Sequence, residues 1–463
     1  MQTATIVPVA CAALAALATS AAAPASASVL TPPAAAPATP PAFASAVARS
    51  GSASTAARAA PSAACARPGG PLYGVARATG GRILARIGRR TLRARPSPRI
   101  PLPTGVYGVS WAFSPTCDAV ALGGDRGRVL LVDLERGRRT GTLVLGARSM
   151  VSEVAWPRPD RLTALAGRFE AQRAITVSVP GGRVVGSRPI GGRPWVSEAT
   201  SLGIVALAAP GDRIGTATLV LANPDGGLSR VPLPRIRAGF DEVGPVRMAR
   251  QVTPGLAVDA AEGRAYVVAA NEPLVAEVDL AGGTATYHRL PGGGDAAGPA
   301  VAAKGLGYGA FRTARWIGDG TIAVSGEVTR TRPDRRRAAR KRRTVTRTDP
   351  YGLRLIRTAD WTATTLNPLF KSFTVAGDLL LGMNAEPAAL SEAEATGLVG
   401  YGLDGRRRFT RFRGAGRAWL RDVAWPYAYV REISPRRTLV VDLRNGRTVG
   451  ETGSRRPPVL LVP

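Results

Sequence analysis

The chain has 463 residues and a formal net charge of +30, with 62 basic residues against 32 acidic ones. It contains a single histidine, His288. One histidine excludes every site built on two or more: zinc clusters, paired-histidine haem ligation and the His-Glu-x-x-His helix.

The first 27 residues carry no Asp, Glu, Lys or Arg, and an apolar stretch from Ile6 to Ala18 leads to Ala25-Ser26-Ala27. An apolar core followed by an A-x-A site reads as a secretory signal peptide over 1–27, although no Lys or Arg precedes the core. An uncleaved anchor is the alternative, and the apolar core is short for one. Lipidation at Cys11 is the other alternative, but the preceding Pro8-Val9-Ala10 lacks the leucine such sites carry. The expected localisation is secreted, extracellular or cell-wall associated, with no membrane span once the signal is removed.

Residues 28–66 are Ala, Pro and Ser with few large apolar side chains. Such a stretch cannot bury enough surface to offset chain entropy and is expected to be a disordered linker. Cys65 at its end and Cys117 are the two cysteines of the mature chain. In an oxidising compartment they are a candidate disulfide, with two separate free thiols as the alternative.

From Leu72 onward short apolar runs alternate with Gly, Pro and Asp turns, the rhythm of many short antiparallel strands. The clearest unit spans 106–145. Strands are expected over 106–113, 119–122, 129–134 and 142–145, separated by Ser114-Pro115-Thr116-Cys117-Asp118, Gly123-Gly124-Asp125-Arg126-Gly127 and Arg136-Gly137. Weaker copies follow at about 149–190, 195–235, 250–291, 305–367, 372–413 and 417–452. Residues 72–102 supply three strands and 458–462 a lone one, which joined would complete a further unit. Helical periodicity is scarce and best over 387–395.

The units share a spacing. Trp111 precedes Trp156 by 45 residues, Ser152-Glu153 recurs 45 residues later as Ser197-Glu198, and Glu153-Val-Ala-Trp156-Pro157 is echoed by Asp422-Val-Ala-Trp425-Pro426. A repeated supersecondary unit cannot bury its apolar faces alone and must stack on its neighbours. The fold expected over 67–463 is all-β: a single β-propeller of four-stranded blades, seven or eight in number and eight by unit count, closed by the N- and C-terminal strands. The run of inner strand, Ser-Pro turn, Gly-Gly-Asp-x-Gly turn and Val-x-Leu-x-Asp-Leu-like strand at 106–134 resembles a WD-repeat or YVTN-type blade. Val132-Asp133 stands where the strict class has Trp-Asp, and no Gly-His partner precedes it.

Candidate chemistry is sparse. Glu153, Glu198 and Asp422 hold equivalent positions near the starts of inner strands, so they are candidate channel-mouth carboxylates for a metal or an acid–base role. Pairing with nearby Arg421, Arg148 or Arg193 is the simpler fate. His288 is expected on an outer strand as a surface or edge residue. Trp111, Trp156, Trp316 and Trp425 read as packing between blades, and Gly292-Gly293-Gly294 as an inter-blade loop, since no helix follows to cradle a phosphate.

The longest unit carries an excess over about 328–349, expected to be an exposed loop because like charges would face each other in a paired strand. Its candidate polyanion-binding residues are Arg335, Arg336, Arg337, Arg340, Lys341, Arg342 and Arg343. No aromatic residue is interleaved, so base stacking of single-stranded nucleic acid is not supported. Only Lys304, Lys341 and Lys371 among the basic residues are lysine, as in proteins of high-GC, actinobacterial-type genomes.

The function expected is a secreted, non-enzymatic propeller acting as a binding or scaffold module at the cell envelope. Its partner would be a protein or an anionic envelope polymer, with non-specific polyanion binding, no specific nucleic acid and no cofactor. The alternative is a propeller hydrolase, lactonase- or glycosidase-like, using the channel-mouth carboxylates.

Overall fold

The computed structural model describes Cys65 and residues 70–461, apart from 147–148, 169–170, 244–247, 292–307, 334–343, 386–394, 412–417, 433–435 and 454–456. The stretches expected to be a signal peptide (1–27), a linker (28–64) and a helix (387–394), the glycine run at 292–294 and the basic residues Arg335 to Arg343 lie outside them. No helix of the described residues is long and apolar enough to cross a membrane.

The strands follow one another as antiparallel meanders. β1 (Leu72–Ala78), β2 (Gly81–Ile87) and β3 (Ala94–Leu102) come first. Two quartets follow: β4 (Val106–Phe113), β5 (Ala119–Gly124), β6 (Arg128–Asp133) and β7 (Arg138–Val144), then β8 (Met150–Arg158), β9 (Arg161–Arg168), β10 (Ala171–Ser178) and β11 (Val184–Pro189). The third is β12 (Arg193–Thr200), β13 (Gly203–Ala209), β14 (Gly215–Ala222) and the long β15 (Leu228–Val243), with β16 (Met248–Thr253) after it. The fourth is β17 (Gly255–Asp259), β18 (Arg264–Val268), β19 (Leu274–Asp279) and β20 (Thr284–Arg289). Then come β21 (Tyr308–Gly318), β22 (Thr321–Pro333), β23 (Thr344–Pro350), β24 (Leu353–Arg357) and β25 (Ala363–Asn367). The chain ends with β26 (Phe370–Ala376), β27 (Leu379–Ala385), β28 (Ala395–Gly402) and β29 (Arg407–Arg411), then β30 (Ala418–Ala424), β31 (Tyr427–Glu432), β32 (Arg437–Asp442) and β33 (Arg447–Thr452), and last β34 (Val459–Leu461).

Position within a quartet decides composition. Middle strands are covered on both faces by neighbouring sheets and are apolar throughout, as in Gly-Ile-Val-Ala-Leu-Ala-Ala of β13, where every residue is buried. Outer strands have one free edge and read polar, as in β11, where no residue is fully buried. The core lies between sheets. Val129, Leu131, Val154 and Leu162 pack the first two full quartets together, Leu207, Leu219, Val267 and Ala276 join the third to the fourth, and Leu381, Leu398, Val430 and Val441 join the last two. Trp111, Trp156, Trp316 and Trp425 enter these inter-sheet clusters.

The chain is thus an all-β propeller with four-stranded blades. β34 pairs with β1 through Tyr73↔Leu461 and Val75↔Val459, becoming the fourth strand of the sheet β3-β2-β1-β34. In place of seven or eight separate sheets, hydrogen bonding produces six among the described residues: four of four strands, one of ten and one of eight. The reason is local. β16 pairs antiparallel with the end of β15 and parallel with β21, fusing two quartets into the ten-stranded sheet. Pro254, without an N–H, ends β16 and lets the chain leave for β17. A single bridge, Ala395↔Ala418, fuses the other two.

The basic insertion also departs from expectation. Residues 330–333 are not loop: β22 runs on to Pro333 and pairs with β23, so Arg330 and Arg347 hold facing register positions. The register is set further down the same strand, where Ile322 and Val324 are fully buried, and Thr recurs at every second position of β23, at 344, 346 and 348, so the ladder continues despite the like charges.

Candidate functional site

The first strands of successive quartets neighbour one another around the axis, and three of the expected residues sit on them: Glu153 on β8, Glu198 on β12 and Asp422 on β30. Two of the strands carry a bulge at the site. The β8–β9 register skips Ser152 just before Glu153, and the β30–β31 register skips Arg421 just before Asp422. A bulge re-aims the side chains beside it.

Glu153 and Glu198 come together. Ser197 Oγ donates to Glu153 Oε2 at 2.7 Å, and Arg315 Nη1, from β21, stands 3.5 Å from Glu198 Oε2. That oxygen is buried and accepts no hydrogen bond. Burial pushes Glu153 above the usual carboxylate range, with the Ser197 hydroxyl, the Val154 amide and Arg315 pulling the other way. Burial raises Glu198 as well, to about 7; Arg315 opposes the shift and the Glu153 charge adds to it. Glu198 thus changes its charge near neutral pH, beside one guanidinium and a second carboxyl that burial also raises.

Asp422 stands apart from that pair. Arg421 Nε lies 3.3 Å from its Oδ2, while Arg421 Nη2 donates to the carbonyls of Pro457 and Pro458. Burial raises Asp422 to about 6 against the pull of Arg421, and burial lowers Arg421. Tyr429, opposite Asp422 across the ladder, has a buried hydroxyl without a hydrogen-bond partner. So the three carboxylates do not gather at one mouth. Among the described residues no group of three or more His, Cys, Asp or Glu is placed to hold a metal ion.

The other expected residues are dispersed. His288 lies on β20, the outermost strand of its sheet; its Nε2 is 3.0 Å from Glu277 Oε2, and its ring stacks on Trp361 at 3.7 Å. Arg193 lies over the Trp195 ring. Cys65 and Cys117 are joined by a disulfide. Arg315 and Ser197 are the functional partners that sequence reasoning missed. Ser197 was visible only as part of the 45-residue echo, and nothing local marks Arg315, which meets Glu198 from two quartets further along.

No protein-family model matches the chain, and no curated protein matches it. Among solved structures it is similar to the dihydro-haem d1 dehydrogenase NirN, at 12% identity and a TM-score of 0.49, over 84% of this chain and 73% of that one. It is also similar to Sqt1 of Saccharomyces cerevisiae (10% identity, TM-score 0.44, 76% of this chain and 87% of that one). BamB of Moraxella catarrhalis is a third (9% identity, TM-score 0.40, 79% and 96%). Likenesses of this strength bear on no function, and the propeller rests on its own strand order.

Proposed function

We propose that the chain is a secreted, non-enzymatic β-propeller acting as a binding or scaffold module at the cell envelope, with a protein or an anionic envelope polymer as its partner. The observation that carries this reading is the engagement of each candidate carboxylate: Glu153 by Ser197, Glu198 by Arg315 and Asp422 by Arg421. On this reading the ten- and eight-stranded sheets each serve as two blades, making eight around the axis. The inter-sheet clusters support that count, because each large one draws on two successive quartets.

Two measurements test it. N-terminal sequencing of protein from culture supernatant is expected to find a mature end near Ser28, and an intact Met1 end in the cytosol overturns secretion. For binding, the protein is expected to bind heparin with an affinity that falls steeply with salt, by counterion release. Deleting residues 334–343, between β22 and β23, is expected to lower the salt needed for elution and to leave the circular dichroism spectrum unchanged, since changing the length of a connection alters closure entropy little. If the full chain holds neither heparin nor any component of an envelope extract, the binding reading fails.

One observation favours a second reading, the lactonase- or glycosidase-like hydrolase: a carboxyl near 7 beside another carboxyl is what a general acid requires. Turnover of a lactone or an aryl glycoside that disappears in Glu198→Gln would establish that reading and displace the first.

A further inference from the structure

The turn between β2 and β3 closes on itself. Gly88 N–H donates to the Arg93 carbonyl, and the Thr91 and Leu92 amides donate back to Gly88. Leu92 sits at φ 52, a left-handed conformation few non-glycine residues adopt, and its buried side chain holds it there. Arg89 clamps the turn to the rest of the ring: its guanidinium donates to the carbonyls of Gly70, Ala424 and Trp425. A rigid turn thus faces β31 of the last quartet, across a cavity of about 500 Å³.

The lining of that cavity includes Arg89, Arg90, Arg93 and Arg95 and no Asp or Glu. Some arginines of this surface are matched by carboxylates, as in Arg158–Asp225, Arg264–Glu277, Arg357–Asp360 and Arg437–Glu451. Here Arg93 and Arg95 are exposed and have no carboxylate partner among the described residues. Arg90 gives its Nε to the Tyr427 hydroxyl at 3.3 Å, which orients the fork. The carboxylate whose charge it feels, Asp442, is engaged by Arg444. Arg93 and Arg95 thus bring two guanidinium forks to one concave space whose lining holds no carboxylate, beside Arg90 oriented by Tyr427, and an anion entering there relieves the repulsion between them.

We propose that this cavity is a binding site for a ligand carrying two or more phosphate groups. A guanidinium fork matches phosphate oxygens two at a time, and the space is in the range of small-molecule sites, larger than one phosphate needs. Two sources share that chemistry, a free oligophosphate and the phosphodiester chain of an envelope polymer. With a free oligophosphate as the source the site goes beyond the function proposed above; with the polymer it rests on that reading, and the variant below separates the two because it leaves residues 334–343 in place.

The test is calorimetric titration of the full chain with tripolyphosphate at matched ionic strength, alongside Arg93→Ala/Arg95→Ala and a control that removes two exposed cations elsewhere, Arg138→Ala/Arg139→Ala. Saturable binding is expected, weakened about tenfold or more in the first variant and unchanged in the control, with the unliganded melting temperature of both variants held. A glycerol-phosphate oligomer that displaces tripolyphosphate identifies the polymer as the source; one that does not identifies the free oligophosphate. No binding beyond that of chloride at the same ionic strength, or equal loss in the control, overturns the site.

Discussion

At pH 8 the protein is expected to unfold at a lower urea concentration than at pH 5, and Glu198→Gln to remove much of that difference. Glu198 titrates near 7 in the folded chain against 4.5 for the ordinary side chain. The fold therefore prefers its neutral form. That contribution is whole below 4.5 and lost as pH rises through 7, and the shift corresponds to about 3 kcal/mol. Asp422, raised to about 6, and Glu153, raised by burial, act in the same sense at their own positions. Asp118, Asp279, Asp360 and Asp442 act in the opposite sense: each is lowered by hydrogen bonds, and their contribution disappears as pH falls below 3.8. Maximum stability is thus expected between those two windows, on the acid side of neutral. Urea melts at pH 5, 6.5 and 8 on wild type and Glu198→Gln decide it. A variant with the same pH dependence as wild type would place the shift elsewhere.

Replacing both cysteines, Cys65→Ser/Cys117→Ser, is expected to cost about 4 kcal/mol on the chain-entropy argument for a loop of this length, the two residues being 52 apart. The turn at Cys117 does not depend on the bond. Ser114 Oγ and Thr116 Oγ1 both donate to Asp118 Oδ1, and the Ala119 amide donates to Ser114 Oγ. The loss should therefore appear as a lower urea midpoint with an unchanged circular dichroism spectrum at low denaturant. Alkylation without reductant should label neither thiol, and full labelling there would show the bond to be absent.

Why some features were legible and others not follows from range. The strand-and-turn rhythm of 106–145 is local: apolar alternation and Gly-Asp turns act over a few residues, and the strands fall close to where they were expected. The role of β34 was readable because β1 to β3 lacked an inner partner and Val459 to Leu461 lacked a sheet. β16 was not readable. Its six residues have mixed polarity, and its parallel partner β21 begins at Tyr308, far along the chain. The carboxylates divide in the same way. The repeated motifs singled out Glu153, Glu198 and Asp422, and each lies on the first strand of its quartet, yet a like place around a ring is not proximity. Glu153 and Glu198 meet because their quartets are adjacent, whereas Asp422 stands on a distant one. Arg315 meets Glu198 only once the ring has curved, so no local pattern announces it.

The pairing of β34 with β1 has a consequence in time. A ribosome makes β1 within the first strands of the propeller and the strand that completes its sheet last. Throughout synthesis the edge of β1 offers unpaired N–H and C=O groups, and such an edge invites another chain to add itself. The seat is narrow: at Gly74 a Cβ would come within 2.8 Å of the Val459 carbonyl, so glycine is what lets the final strand approach. Three residues, Val459 to Leu461, have to reach that edge before a neighbouring nascent chain does, and a chain halted just short of them is left with an adhesive side.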